Sequence, residues 1–143
     1  MTASKKFKLS KRSLKNLKQV NSIIVELTKR VIEITPVDFG ILDNGGWRSA
    51  EKQADLYKKG YSQLDGHVKI SYHQLGNAVD LVPYIDGKFT WESVEAFQKI
   101  NKAVLKVWSK MEEEGKVRGV VLQWGGDWKS FKDFAHYQIK MKR

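Results

Sequence analysis

The sequence predicts an α+β domain in which helices pack against a small antiparallel sheet. Two long segments carry apolar residues at the three- and four-residue steps of a helix, and several shorter segments are apolar or alternate as strands do. These elements do not follow the regular strand–helix–strand order that builds a parallel sheet. A hydrophobic content of 41%, with five Trp, five Tyr and six Phe, predicts that residues 1–143 form one packed domain.

The N-terminal segment is basic, and it is predicted to be helical from about residue 8 to residue 34. Its apolar residues recur on one helical face. They are Leu14, Leu17, Val20, Ile24, Leu27, Val31 and Ile34. Thr35-Pro36 ends the pattern, because the residue before a proline is disfavoured in the α region. We therefore expect one long helix from Ser10 to Ile34.

A strand, a helix and a loop are expected next along the chain. Residues 37–41 alternate between apolar and polar or small side chains, which favours a short strand with one buried face. Ser49 is suited to cap a helix that runs to Lys59 and stops at Gly60. Residues 61–72 show no periodic pattern, so they are expected to form a loop.

The second half of the chain supplies the remaining strands and a long helix. Residues 78–85 form an apolar run that is interrupted by Asp80, and they are predicted to be a strand. A helix capped by Thr90 is expected to follow, with a buried apolar stripe along its length. Residues 117–124 and 135–139 are then predicted to be two further strands.

Composition excludes several kinds of site and of location. There is no cysteine, so neither a disulfide framework nor a thiolate metal site can form. No apolar run approaches the roughly 18 residues of a membrane span. The first 18 residues hold seven Lys or Arg but no apolar segment of a signal peptide. We therefore expect synthesis in the cytoplasm, with another agent releasing the protein if it acts outside.

The formal net charge of +10 has two interpretations. It can be a solvated basic face that keeps the protein soluble, or it can serve a polyanionic partner such as nucleic acid or a bacterial envelope. Charge alone does not separate these interpretations.

Two imidazoles and two carboxylates have the spacing of a metal centre. His73, Asp80 and His136 would complete a three-ligand shell, leaving Asp133 to handle protons. Asp80 interrupts an apolar strand, where a carboxylate must be hydrogen-bonded or bound to a cation. Gly76 permits a sharp turn that could bring His73 and Asp80 together. The pattern therefore points to a zinc hydrolase.

Each of these residues also has an ordinary structural interpretation. A lone histidine in a strand, such as His136, is more often a core or surface residue than a ligand. Asp133 in strict strand geometry would face away from His136, because their offset is odd, so it must lie in a bend before the strand. The third histidine, His67, lies in a polar segment and is expected to be exposed.

Three ordered motifs resemble a known family of zinc peptidases. Residues 71–80, SYHQLGNAVD, resemble the family signature S-x-H-x-x-G-x-A-x-D. Residues 124–137, WGGDWKSFKDFAHY, resemble W-G-G-D-W followed by D-x-x-H-[FY]. Residues 46–53, GWRSAEKQ, resemble the substrate-binding segment R-S-x-x-x-Q. The family includes D-Ala-D-Ala carboxypeptidases and L-alanyl-D-glutamate endopeptidases, with which hedgehog-type proteins share their scaffold.

The resemblance implies which residues would bind the metal ion, transfer the proton and bind the substrate. Zn²⁺ would be held by His73, Asp80 and His136, with Asp133 as the general base and Arg48 holding a substrate carboxylate or the developing oxyanion. Aspartate at position 133, where vancomycin-resistance peptidases carry glutamate, favours the endopeptidase branch. The resemblance further implies substrate contacts for three residues besides Arg48. They are Ser49, Gln53 and Ser71.

The expected function is therefore zinc-dependent cleavage of the peptidoglycan stem peptide at the L-Ala-D-Glu bond by a monomeric phage or prophage endolysin. The lack of a signal peptide leads us to expect release to the wall through a holin. A D-Ala-D-Ala carboxypeptidase and a bacterial wall-remodelling peptidase stay open as alternatives. So do a silent zinc module, a lysozyme-type glycosidase and a basic nucleic-acid-binding module, although no nucleic-acid partner is expected. The basic N-terminal segment is expected to contact the anionic envelope.

Overall fold

The computed structural model describes residues 6–142. Within this range the chain forms four α-helices and six short β-strands, joined by turns and loops. The helices are α1 (Lys11–Asn16), α2 (Ser22–Ile34), α3 (Ala50–Lys58) and α4 (Val94–Glu113). The strands are β1 (Phe39–Gly40), β2 (Ala78–Asp80), β3 (Val82–Ile85), β4 (Lys88–Phe89), β5 (Val120–Trp124) and β6 (His136–Met141). The α+β class predicted from the sequence is confirmed.

The strands form two small antiparallel sheets with the orders β1-β3-β4 and β2-β6-β5. In the second sheet, β6 is the central strand, and Asp80 of β2 lies directly opposite His136 of β6. On the other side of β6, Gln123 of β5 lies opposite Gln138. The sheet register therefore places these four side chains in two neighbouring cross-strand pairs.

The core lies between the helices and one face of the β2-β6-β5 sheet. Helix α2 packs against α4 through fully buried side chains such as Val31 and Val104. Tyr137 and Ile139 of β6 belong to the same buried cluster. Since successive side chains of a strand point to opposite faces, His136 and Gln138 lie on the face turned away from this core.

No helix in the described part of the chain is long and apolar enough to cross a membrane.

The prediction of one helix from Ser10 to Ile34 is wrong, because the structure divides this segment into α1 and α2. Gln19 has a left-handed backbone (φ 68°). Asn21 then caps α2, since its side-chain oxygen accepts a hydrogen bond from the Ile23 N–H at 2.9 Å. The Asn21 N–H donates to the Gly76 carbonyl at 2.8 Å. Apolar periodicity runs through this break, but the chain bends there to receive the loop that carries Gly76.

Two further predictions are corrected by the structure. The run 78–85 is divided between β2 and β3, which belong to different sheets, and Leu81 between them donates its N–H to the Ala135 carbonyl at 2.9 Å. Helix α4 is capped by Ser93 and not by Thr90, because the Ser93 hydroxyl accepts from the Ala96 N–H at 3.2 Å. The Thr90 N–H instead donates to the Pro83 carbonyl.

Candidate metal centre

The sheet and one tight loop bring three potential ligands together. Asp80 and His136 face each other across β2 and β6. His73 reaches the same point from the turn before β2, where Gly76 has φ +74°. A Cβ added at Gly76 would lie 2.7 Å from the Gln19 carbonyl oxygen, so this turn both requires and accommodates glycine.

The ligand atoms of the three side chains form a nearly equilateral triangle. The His73 Nε2 lies 3.2 Å from the His136 Nδ1 and 3.3 Å from the Asp80 Oδ1. The His136 Nδ1 lies 3.2 Å from the same Oδ1. This His73–Asp80–His136 group meets the spacing of a metal site, and both of its histidines are buried.

The remaining nitrogen of each imidazole is bonded to an acceptor outside the triangle. The His73 Nδ1 lies 2.8 Å from the Gly46 carbonyl oxygen, which can only accept, so Nδ1 carries the proton and Nε2 presents a lone pair. The His136 Nε2 lies 2.7 Å from the Gln138 Oε1, so in the tautomer with its proton on Nε2, His136 donates to Gln138 and Nδ1 is available to bind a metal ion. Such outer hydrogen bonds are characteristic of metal-binding histidines.

Three acceptor atoms at this separation are stable together only when a cation or a shared proton lies among them. Burial by itself would raise the pKa of Asp80, but His73 and His136 hold the pKa of this carboxyl well below its usual range. Burial would lower the pKa of His136, but its hydrogen bond to Asp80 and the charge of that carboxylate raise it. The electrostatics of the group therefore favour an ionised Asp80 beside positive charge.

Arg48 lies beside this group, immediately before the Ser49 cap of α3. Its Nη2 donates to the Asp80 Oδ2 at 3.3 Å, its Nη1 to the Gln53 Oε1 at 3.1 Å, and its Nε to the Asn44 carbonyl at 2.6 Å. A guanidinium has five N–H groups, so these three bonds leave one on each Nη for another acceptor. Burial lowers the pKa of Arg48, and the charges of Asp80 and Asp133 partly offset this effect.

Two of the residues expected to contact substrate act here as supports within the protein. Gln53 is fully buried (0% exposed), and its Nε2 donates to the Ser62 Oγ and to the Leu64 carbonyl, both at 2.8 Å. Gln53 therefore holds Arg48 from the buried side, and its expected contact with substrate stays a prediction. The buried Ser71 accepts a hydrogen bond from the His73 N–H at 3.2 Å.

Ser49, also expected to contact substrate, is the N-cap of α3, and its hydroxyl accepts from the Lys52 N–H at 3.0 Å.

Asp133 lies in the bend before β6, and its carboxyl is close enough to Asp80, His73 and His136 to interact with their charges. Its carbonyl accepts from the His136 N–H, and its own N–H donates to the Gly125 carbonyl, both at 3.1 Å. Burial and the charge of Asp80 raise the pKa of the Asp133 carboxyl. Trp128, which precedes this bend, lies against the His136 ring with a centroid separation of 5.3 Å.

Sequence reasoning missed two supports of the group. The segment Gly45-Gly46, predicted only as a break, supplies carbonyls to the Asp80 N–H at 2.7 Å and to the His73 ring. A Cβ at Gly46 would collide with the Asn16 carbonyl, which explains the glycine there. Gln138 was missed because its partner is fixed by strand register and not by sequence spacing. The sequence does contain one indication of this role: Gln138 follows His136 by two residues on a strand, so the two side chains lie on the same face.

Comparison with known proteins gives one consistent result. Residues 5–142 match the family model described as phage L-alanyl-D-glutamate peptidase. The chain is 36% identical over 134 residues to the L-alanyl-D-glutamate peptidase of Escherichia phage T5, covering 94% of this chain and 90% of that protein. It is 33% identical over 100 residues to the peptidoglycan L-alanyl-D-glutamate endopeptidase CwlK of Bacillus subtilis, covering 66% of this chain and 57% of CwlK.

A crystal structure shares the same fold. The Serratia marcescens L-Ala D-Glu endopeptidase ChiX superposes with a TM-score of 0.76 at 28% sequence identity, covering 96% of this chain and 91% of ChiX.

Proposed function

Because the chain belongs to the family of phage L-alanyl-D-glutamate peptidases, we propose that it is a zinc-dependent hydrolase that cleaves the L-Ala-D-Glu bond in the peptide stems of peptidoglycan. The observation that carries this proposal is the convergence of the His73 Nε2, Asp80 Oδ1 and His136 Nδ1, which lie 3.2–3.3 Å from one another. Three protein ligands with a free fourth position are typical of catalytic zinc sites.

The donor set and its dimensions fit Zn²⁺. Bonds of about 2.0–2.1 Å in a tetrahedral zinc shell separate neighbouring ligand atoms by about 3.3–3.4 Å. The three separations here are 3.2, 3.2 and 3.3 Å. Two neutral imidazoles and one carboxylate leave a divalent ion with net positive charge, and zinc in such a site supplies Lewis acidity that makes a water molecule nucleophilic near neutral pH.

The protein's own groups supply proton transfer and charge stabilisation. We propose that Asp133 accepts the proton of the attacking water and returns it to the departing amino group of D-Glu. Its raised pKa suits a group that must both accept and release a proton. The two N–H groups that Arg48 has left over would bind a substrate carboxylate or the developing oxyanion, and Asp80 and Gln53 hold the guanidinium in place for this task.

The biological setting proposed is lysis of a bacterial host by a phage or prophage. The T5 relative is a phage protein of nearly the same length. We propose that this protein reaches the wall through a holin-type pore. Expression in a bacterium with and without a holin tests this: lysis is expected only when both proteins are made, and lysis without the holin contradicts this route.

Digestion of purified peptidoglycan, followed by mass spectrometry of the products, tests the proposed reaction. New amino groups on D-Glu are the expected result. Free D-Ala would instead indicate a carboxypeptidase, and new reducing ends a glycosidase. Bound zinc without any product would indicate a silent zinc module.

A further inference from the structure

We propose that Gln138, itself oriented by Gln123, is a positioning residue that fixes His136 in the tautomer required for metal binding. This inference rests on the proposed function, because it assumes that the His73–Asp80–His136 group holds a metal ion. It adds two residues that none of the sequence motifs contains.

The sheet builds a short chain of hydrogen bonds that ends at His136. Gln138 lies two residues after His136 on β6 and directly opposite Gln123 on β5. The His136 Nε2 lies 2.7 Å from the Gln138 Oε1, and the Gln138 Nε2 donates to the Gln123 Oε1 at 2.8 Å. All three side chains lie on the sheet face turned away from the core.

The tautomer of His136 decides whether the ligand triangle can form. With the proton on Nδ1, His136 would donate to the Asp80 Oδ1, 3.2 Å away, and would have no lone pair for a metal ion. With the proton on Nε2, Nδ1 is a ligand and Nε2–H needs an acceptor. The carbonyl oxygen of Gln138 is that acceptor, so it favours the metal-binding form.

Gln123 matters because a side-chain amide can face either way. If Gln138 were reversed, its NH₂ group would face His136 and stabilise the tautomer that cannot bind metal. The Gln123 Oε1 accepts from the Gln138 NH₂ group, and in this orientation Gln123 favours the Gln138 oxygen being turned toward His136. The two hydrogen bonds therefore favour the same orientation of the Gln138 amide.

A purely structural role for Gln138 makes a different prediction. Its side chain is partly exposed and lies outside the buried cluster, and β6 is held in the sheet by its backbone pairing with β2 and β5. Replacing its amide should then leave zinc affinity unchanged. A positioning role predicts a loss of zinc affinity that a carboxylate at the same place prevents.

The test measures zinc affinity of the full chain by competition with a chromophoric chelator. The variants are Gln138→Leu, Gln138→Glu and Gln123→Leu, with Gln98→Leu on the exposed face of α4 as the matched control. Removing an outer hydrogen bond of a metal-binding histidine typically costs about 10–100-fold in metal affinity. We expect a loss of that size in Gln138→Leu, a smaller loss in Gln123→Leu, and none in Gln98→Leu.

The Gln138→Glu variant tests the positioning role of Gln138 even if the Gln138→Leu variant does not fold. A carboxylate accepts the Nε2–H bond at least as well as an amide oxygen, and Gln123 can turn to donate its NH₂ group. Zinc affinity equal to or above that of the parent supports the inference, and a tenfold loss overturns it. Long-range ¹H–¹⁵N spectra provide a second measurement, in which the parent should show a proton on the His136 Nε2.

Three outcomes separate this inference from the proposed function. Absence of zinc binding by the parent contradicts the metal centre itself. Tight binding by the parent, with equal affinity in Gln138→Leu, overturns only the positioning role. A loss in both Gln138→Leu and Gln98→Leu also overturns it, because the effect would not depend on His136.

Discussion

At the residue scale, Asp133 differs from Asp80 in where its carboxylate lies, and we expect this difference to decide the role of each in catalysis. It is placed beside the ligand group but outside the triangle, in the bend before β6, and burial together with the Asp80 charge raises its pKa. A carboxylate in the ligand shell would instead be held ionised by the metal. We therefore propose different tasks for Asp80 and Asp133, which are chemically alike: Asp80 as a metal ligand and Asp133 as the proton acceptor.

Replacing Asp133 by asparagine tests this division. Asp133→Asn should retain zinc, because no ligand is removed, and should lose about 10²–10⁴-fold in turnover, as expected when a positioned proton acceptor is removed. Zinc content and turnover are measured on the same preparation. Asp86→Asn is the control, since Asp86 lies in an exposed turn with φ 52°, which asparagine tolerates. Loss of zinc together with activity would place Asp133 among the ligands.

Gln53 is the second residue whose task follows from its burial. It joins Arg48 to the loop at Ser62 and Leu64, so it couples the proposed oxyanion-binding side chain to this loop. The polar atoms of a fully buried amide must all be bonded, and here they are.

The Gln53→Leu variant should therefore be less stable and less active while still binding zinc. Leaving the buried partners of Gln53 unsatisfied should lower the free energy of unfolding by about 1–3 kcal/mol. Turnover should fall because Arg48 loses one of its three acceptors. Urea unfolding, zinc content and turnover are measured together, with Gln98→Leu as the exposed control. A variant of unchanged turnover would show that Arg48 needs no support from Gln53.

At the level of elements, the break between α1 and α2 supports the turn that carries His73. The turn at Gly76 packs onto it, and this turn carries His73 on one side and leads to Asp80 on the other. The positions of two proposed metal ligands, His73 and Asp80, therefore depend on a close backbone contact with a segment that is far away in sequence.

The Gly76→Ala variant tests this dependence. Alanine at φ +74° is strained and its Cβ would lie 2.7 Å from the Gln19 carbonyl oxygen, so we expect a loss of about 1–3 kcal/mol in the free energy of unfolding. Weaker zinc binding should accompany it, because the turn positions His73. The control is Gly60→Ala, which has a similar φ of +81°, open space around it and no part in the site. Equal effects of the two substitutions on zinc affinity would contradict this explanation.

These elements also show what a sequence can and cannot predict. Helix α3 was predicted together with its Ser49 cap and the stop at Gly60, because capping is local chemistry. The break at Gln19 was missed, because it depends on a contact with Gly76. The convergence of His73, Asp80 and His136 was predicted from motifs, whereas Gln138 and the Gly46 carbonyl depend on strand register and close backbone packing.

At the scale of the whole molecule, the net charge of +10 should attract the protein to polyanions over a longer range than the contacts within the site. Lys6, Lys8, Lys11, Lys15 and Lys18 are exposed, while Lys5 lies outside the described residues. Arg12 of the same segment is bonded to Asp43 at 2.9 Å. We expect these lysines to promote encounter with an anionic envelope without taking part in the chemistry.

Neutralising Lys8, Lys11, Lys15 and Lys18 to glutamine should slow digestion of whole walls and leave cleavage of a short soluble L-Ala-D-Glu peptide nearly unchanged. Exposed charges are screened over about 8 Å at physiological ionic strength, so raising salt should have the same effect on the parent. The matched control replaces Lys99, Lys102, Lys106 and Lys110 on α4, which removes the same charge from another exposed surface. Equal loss on walls and on the soluble peptide would show that α1 supports the site itself.

The most direct measurement is the zinc content per chain of the parent, His136→Ala and His67→Ala, determined by elemental analysis alongside turnover on peptidoglycan. His67 is exposed in the 61–72 loop and serves as the control. We predict one zinc ion per chain in the parent and in His67→Ala. His136→Ala should lose most of its zinc, its turnover and part of its thermal stability, because Asp80 is left buried without a full set of partners. Full zinc occupancy in His136→Ala would contradict the assignment of the metal centre.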